Sequence, residues 1–447
     1  RLAKLQSPNT TPALRTAPRA HHWRLQLMEF PSGRASDMIL LGDGDQSQRT
    51  LADVPFDLVI DRCYIHGDDR TQKRAIALNS GRTSIIGTYI AHIARTGQDS
   101  QAIAGWNGPG PYLIENNHLE GAAENFMLGG ATPWIDGLIP SDVTFRRNYV
   151  TKPLDWRSQK VTVKNLFELK NARRVLVEFN VFENNWVSGQ TGFAIVLTPR
   201  GDSGRAPWAT VEDVTFRYNI VRHAGSAINV LGRDDGGPSQ QLRRLRVAHN
   251  IFYDIDDNRW GGAGAFIQLG DAPADIVVEH NTVLHTGTAV VAYGGTKDAP
   301  APIRGFVFRD NIMRHNRYGV HGSGRAVGND TLQTFFPDAV FDNNVLAGGK
   351  ASEYPSDNLF PSVEEFIRQF VAPAEGDLRL VENSSFRGRA SDGTDLGADI
   401  AQINSGVADD ERSRRDDREK RPIRKSDGLS VGAALVAASV ILRRFRP

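Results

Sequence analysis

An acid and a base stand two residues apart in this chain: Glu168 and Lys170, in the segment FELKN. On a strand, residues i and i+2 share one face, so the pair would sit side by side. Together they could move a proton, or the carboxylate could hold a cation. Asn171, Arg173 and Arg174 follow at once. About thirty residues later the segment TPR ends in Arg200, and the next such interval ends in GRDDGG, with Arg233, Asp234 and Asp235. Glu124 comes before them in ENFM, and Trp106, Trp156, Trp186, Trp208 and Trp260 are spread through the same region. Carboxylates, a lysine, arginines and indole faces are the groups that act on and hold sugars. Each also has a plainer reading. Glu168–Lys170 reads as a surface ion pair worth little, Asp234–Asp235 as a polar turn before Gly236 and Gly237, and the tryptophans as loop packing.

Whether these groups meet depends on the elements that carry them, and those repeat. A phrase ending in Asn recurs as YLIENNHL (Asn117), VTFRRNYV (Asn148), VLVEFNVF (Asn180), VTFRYNIV (Asn219), LRVAHNIF (Asn250), IVVEHNTV (Asn281), FVFRDNIM (Asn311) and AVFDNNVL (Asn344), at steps of 30 to 39 residues. A fixed period of this size signals stacked repeats. The phrase alternates apolar and polar residues, as a strand does. In VTFRYNIV the alternation places Val214, Phe216, Tyr218 and Ile220 on one face. A second apolar strand follows in each repeat (NFMLGG, NLFELK, AIVLTP, INVLGR, FIQLGD), separated by loops rich in Gly, Pro, Asp and Asn. Its leucine column (Leu128, Leu169, Leu197, Leu231, Leu269) and the residues two earlier, Asn229 among them, read as inward. Earlier turns place Met28, Cys63 and Tyr89 at the Asn position, giving about 11 turns between residues 20 and 350. The Asn ladder reads as structural: Asn tolerates a left-handed turn, and its amide can bond its own copy one turn away. His223, His285 and His315, each four residues past a ladder Asn, read the same way.

Composition narrows the function. Formal net charge is +1, which argues against a nucleic-acid partner for the chain as a whole. Cys63 is the sole cysteine, so neither a disulfide framework nor a Cys/His zinc site is expected.

The period, the short strands and the stacked asparagines resemble the right-handed parallel β-helix proteins of the pectate-lyase-like superfamily, over roughly residues 20–400. The resemblance implies an all-β single-stranded solenoid, a polysaccharide partner, an exported bacterial protein located outside the cell, in the periplasm or on the surface, and a monomer. It implies no single reaction, because one fold hosts many functions. Polyuronate lyases of this fold pair a Lys or Arg with Ca²⁺ or other groups that neutralise the substrate carboxylate. The resemblance therefore implies Lys170 as base, Arg200 as proton donor or carboxylate clamp, and Glu168 as an orienting or metal ligand, with Glu124 a second candidate Ca²⁺ ligand. Arg233, Asp234, Asp235, Asn171 and Trp106 become candidate substrate-binding residues. IDRCYIHGDD (60–69) resembles a pectate-lyase segment with Arg62 in place of His, leaving Asp68 and Asp69 as further candidate calcium ligands. A glycoside hydrolase using Asp234 and Asp235, or a non-catalytic glycan-binding scaffold, are the alternatives.

The expected organisation is a β-helix over 1–350 that opens inside a repeat, a C-terminal capping segment over 351–404, a charged disordered linker over 405–427 and an apolar tail over 428–447. In that tail GLSVGAALVAASVIL precedes RRFRP, which suits membrane or surface attachment.

Overall fold

The computed structural model describes residues 2–407. Three parallel sheets of 12, 11 and 11 strands run the length of the molecule, each strand pairing with its counterpart one turn before and one turn after. The chain is a parallel β-helix, as its period predicts, and a right-handed one, as the resemblance implied. Strands one turn apart lie about 4.8 Å apart, so a residue and its counterpart in the next turn touch. The interior is a continuous column of Ile, Val, Leu and Phe, with phenylalanines stacked from turn to turn, as in Phe126 on Phe167 (5.3 Å) and Phe182 on Phe216 (5.8 Å).

Each turn contains three strands rather than two. The phrase VTFRYNIV is not one strand but the end of Val211–Arg217, a sharp bend, and the start of Ile220–Ala224 in another sheet. Val214 and Phe216 face the core as expected, whereas Tyr218 and Ile220 face outward. The bend lies at the residue before each ladder Asn. Arg147, Phe179, Tyr218, His249, His280, Asp310 and Asn343 all have φ between 51° and 57°, while the ladder asparagines do not adopt positive φ. What the Asn contributes at each turn is therefore its side chain and not a left-handed backbone. Asn219 Nδ2 donates to Val177 O, Arg217 O and Asn250 Oδ1, and Asn219 Oδ1 accepts from the N–H and Nδ2 of Asn180. The same pattern links Asn117 through Asn344 and ends on Asn358, which the sequence phrase does not reveal. One turn earlier the position belongs to Thr88, whose N–H donates to Asn117 Oδ1. Tyr89, assigned there from sequence, instead stacks on His118 at 4.0 Å.

The C-terminal part departs from the expected cap. The open end is closed by the helix Asn329–Phe335 and by Phe336 and Tyr354, which join the main core. Residues 362–407 turn back along the outside of the first sheet. Their Phe366, Phe370, Leu396, Ile403 and Val407 cover Tyr149, Val181, Ile220, Ile251 and Val345. Gly397 N–H donates to Asp310 O, and Gly406 lies against the ring of Phe179, so the segment runs toward earlier turns. It ends in a helix over Ile400–Gly406, so the expected linker cannot begin at Ser405. The rest of that linker and the apolar tail lie outside the described residues, among which no helix is long and apolar enough to cross a membrane.

Candidate functional site

The second sheet carries the candidate groups. Within Asn165–Leu169, Phe193–Leu197 and Ser226–Leu231, the pairs Phe167–Ile195 and Ile195–Ile228 point inward. Glu168, Val196 and Asn229 pair with one another in sequence and form the outward column. Aligning Leu231 with Leu197 had placed Asn229 inside. Leu197 pairs with Val230 instead, which keeps an amide out of the apolar interior, where its polar atoms would go unmatched. Asn229 instead faces the same side as Glu168 and bonds Gln268 of the following turn at 3.1 Å.

Above this column lies a cavity of about 670 Å³, lined by Glu168 and Lys170 of one turn, Val196, Thr198 and Arg200 of the next, and Asn229 and Asp234 of the third. Gly130, Gln190, Asp202 and Ser203 are also among its lining residues. Glu168 points outward as expected but is only 1% exposed, because loops cover it. Its Oε1 lies 3.3 Å from Lys170 Nζ, and its Oε2 accepts from Asn165 Nδ2 at 3.2 Å. Lys170 is half-buried, against the sulfur of Met127.

Arg200 spans the third turn. Its Nη1 donates to Asp234 Oδ1 at 2.8 Å and to Asp235. Asp234 also accepts from the N–H groups of Gly201 (2.7 Å) and Gly236 (3.0 Å). Burial works against both ions. For Asp234, the bonds from Gly236, Arg200 and Gly201 outweigh it and hold the pKa below its ordinary value. For Arg200, the bonds to Asp234 and Asp235 outweigh burial and raise the pKa. A raised pKa disfavours Arg200 as a proton donor, and its bonds to two carboxylates are of the kind a carboxylate clamp makes. A lowered pKa disfavours Asp234 as the general acid of an Asp234/Asp235 hydrolase pair.

Four other expectations change. Asn171 is buried and structural, donating to Leu138 O and accepting from Thr210 N–H. Arg233 is exposed and does not line the cavity. Trp106 lines a neighbouring cavity, its indole N–H on Gly44 O. Trp156, Trp186 and Trp260 are buried together in a packing cluster with Ala94 and Val163, which removes them as open sugar platforms.

Glu124 lies behind the cavity wall, 1% exposed, bonded to Gln101 and 3.6 Å from Lys164. Burial and the nearby Glu168 raise its pKa. The pair does not fit Ca²⁺, because the ammonium groups of Lys164 and Lys170 already face the two carboxylates. Among the described residues no group of three or more His, Cys, Asp or Glu is placed to hold a metal ion. Asp68 and Asp69 are spoken for as well. Asp68 caps its own loop at Arg70 and Thr71, and Asp69 pairs with His92 and Trp156.

The sequence reading passed over Lys152. It is fully buried and donates to the carbonyls of Gly121 and Asn165 and to Asn125 Oδ1. Burial pulls its pKa down to about 7, against the opposing pull of Glu124. Lys152 fixes the backbone of Asn165, which in turn bonds Glu168. Nothing in TKPL marks it, since an isolated lysine before a loop ordinarily faces water.

No protein-family model matches this chain, and no curated protein matches it. Among solved structures, it resembles the Dettilon tailspike protein (gp208), with 12% identity and a TM-score of 0.41 over 78% of this chain and 61% of that one. It also resembles the Streptococcus pneumoniae surface protein and adhesin PfbA, with 10% identity and a TM-score of 0.34 over 80% and 90%. The chain thus spans less than two thirds of the tailspike's length. These are likenesses of backbone path, and the groove's chemistry rests on its own residues.

Proposed function

We propose that the groove binds a polysaccharide and that Lys170 is the base of a β-elimination at a uronate unit held there. The observation that carries this reading is the convergence of Glu168, Lys170, Arg200 and Asp234, from three successive turns, on one open cavity. In the reaction, unprotonated Lys170 Nζ takes the C5 proton. The electron pair left on C5 forms the C4=C5 double bond as the C4–O bond breaks. The Lys170 ammonium then returns the proton to the leaving oxygen. Negative charge builds on the uronate carboxylate as C5 is deprotonated, and a fixed cation must meet it. Arg200 supplies that cation by exchanging an aspartate partner for the substrate carboxylate, and Glu168 orients the lysine. A protein with such a groove works where polysaccharides are, at a cell surface or outside the cell.

A second reading, a glycan-binding groove without catalysis, is favoured by one observation. Lys170 and Arg200 are each already paired with protein carboxylates, so a uronate must displace one to be activated. Incubation with alginate, pectate and chondroitin separates the two. Elimination generates an unsaturated uronate that absorbs in the ultraviolet, and Lys170→Ala is expected to abolish it while leaving binding within about threefold. Full activity in Lys170→Ala would sink the base assignment. Binding with no absorbance change in the wild type would establish the second reading.

A further inference from the structure

Three loops that lead into the second sheet bring arginines to one place. A cavity of about 350 Å³ there is lined by Thr10, Arg34, Ser36, Arg70, Thr71 and Arg95. The three arginines precede the strands Asp37–Leu41, Arg74–Leu78 and Gln101–Gly105, which are neighbours in the sheet. We infer that this cavity binds the tetrahedral oxyanion of a sulfate or phosphate ester on a glycan; the glycan as carrier rests on the reading of the groove, whereas the oxyanion site stands on its own residues.

Hydrogen bonds tie the three loops together. Gln72, fully buried, donates from Nε2 to Gly33 O at 2.9 Å and accepts at Oε1 from the Asp68 N–H at 3.1 Å, which joins the loop of Arg34 to that of Arg70. The Thr96 N–H donates to Arg70 O at 3.2 Å, and Thr71 and Arg95 form an antiparallel bridge, which joins the loop of Arg70 to that of Arg95. Arg95 Nη1 donates to Ser36 Oγ at 2.6 Å and closes the ring of contacts. Among the described residues no carboxylate pairs with Arg34, Arg70 or Arg95. The nearby acids are engaged elsewhere: Asp37 with Arg74 at 3.5 Å, Asp99 with Lys164 and Asp69 with His92. Asp68, which with Asp69 and Arg70 lines an adjoining cavity, accepts from the N–H groups of Arg70 and Thr71 and from the Thr71 hydroxyl. Lys73 adds a further cation; burial, Arg74 and Arg95 pull its pKa down against Asp37 and Asp99. Like charges gathered in this way repel, and a bound anion relieves the repulsion. Guanidinium forks match oxyanions bidentately. Three of them from separate loops, with the hydroxyls of Thr10 and Ser36, suit a tetrahedral oxyanion better than a planar carboxylate. Two turns, about 10 Å at their usual spacing, separate the strand after Arg95 from the strand of Glu168, so one glycan chain can reach both sites.

The test is calorimetry on the full chain with a sulfated galactan hexasaccharide and a phosphorylated mannan hexasaccharide, neither of which contains a uronate. Their desulfated and dephosphorylated counterparts, inorganic sulfate and phosphate, and a single-stranded DNA of matched charge are the comparisons. At least one ester is expected to bind more tightly than its stripped counterpart and than the DNA. Arg34→Gln and Arg70→Gln should each weaken that binding about tenfold, or about 1.4 kcal/mol. Arg70→Lys should recover only part of it, because lysine keeps the charge but not the fork. Arg34 and Arg70 are exposed, so the variants are expected to fold, which circular dichroism checks. Arg304→Gln, at an exposed arginine before Phe306–Arg309, should leave binding unchanged. Esters that bind no better than their stripped counterparts, binding of the inorganic ions alone, equal affinity for DNA, or an equal loss in Arg304→Gln each overturn the site. The groove reading fails separately: it is judged on turnover in Lys170→Ala, which leaves the preference for esters intact.

Discussion

Replacing Asn219 by Ala tests the ladder that links the turns carrying the groove. The substitution removes five hydrogen bonds: three from Nδ2, to Val177 O, Arg217 O and Asn250 Oδ1, and two to Oδ1, from the N–H and Nδ2 of Asn180. A net hydrogen bond contributes about 1 kcal/mol, and a buried donor left unmatched costs about 1–3 kcal/mol. The Asn180 N–H becomes such a donor, whereas Asn180 Nδ2 keeps Phe145 O and Glu178 O. Because several donors and acceptors are shared, the expected loss is about 4 kcal/mol, read as the shift in urea midpoint by circular dichroism. Asn219→Asp refines the test. It retains the acceptor for Asn180 but turns a carboxylate oxygen toward three other acceptors, so at neutral pH it should destabilise more than Ala. Only the protonated acid can donate there, so the folded-state pKa lies above the unfolded one. The deficit should therefore shrink as pH falls through that raised value. A loss below about 1 kcal/mol for Asn219→Ala, or a deficit in Asn219→Asp that grows on acidification relative to wild type, would refute the reasoning.

Two further outcomes follow from other parts of the fold. The Asp69 hydrogen bond, with the charges of Glu120, Asp69 and Asp155, outweighs burial and raises the pKa of His92 from its ordinary 6.5 to about 9. A folded pKa above the unfolded one means that its stabilisation is complete below about pH 6.5 and is lost as pH rises through 9; melting curves across that window should slope down in the wild type, and this component should shrink in Asp69→Asn, where Glu120 and Asp155 remain. Ile403 is fully buried where the C-terminal segment meets the flank of the first sheet. Ile403→Ala should cost that contact about 2–4 kcal/mol and release the segment to limited proteolysis while the solenoid's own melting stays put; cleavage at the wild-type rate would contradict the docking described.

Much of the fold is legible in the chain because the repeat is written locally. The Asn phrase, the alternation before it and the apolar strand after it identify the turns. The order of turns alone brings Glu168, Lys170, Arg200 and Asp234 within reach of one another, since stacking places equivalent positions about 4.8 Å apart. Registers that depend on loop length are less legible: the Leu197–Leu231 alignment slipped by one residue because spacing inside a turn of 39 residues is not fixed by its neighbours. A one-residue slip moves a side chain to the opposite face, which is why Asn229 was assigned to the core.

By itself, then, the sequence determined the solenoid, its period and the turn on which an acid and a lysine break the repeat, because each is a pattern within about thirty residues. Tertiary structure alone decided how the groups are used. It fixed the left-handed bend one residue before each Asn, the loops that bury Glu168, the capture of Arg200 by two aspartates and the sealing of Lys152 among carbonyls. It also laid the C-terminal segment along the flank and gathered three arginines from successive turns around one cavity. These features depend on where distant loops come to rest and on how far each charge is removed from water, and neither is encoded in spacing along the chain.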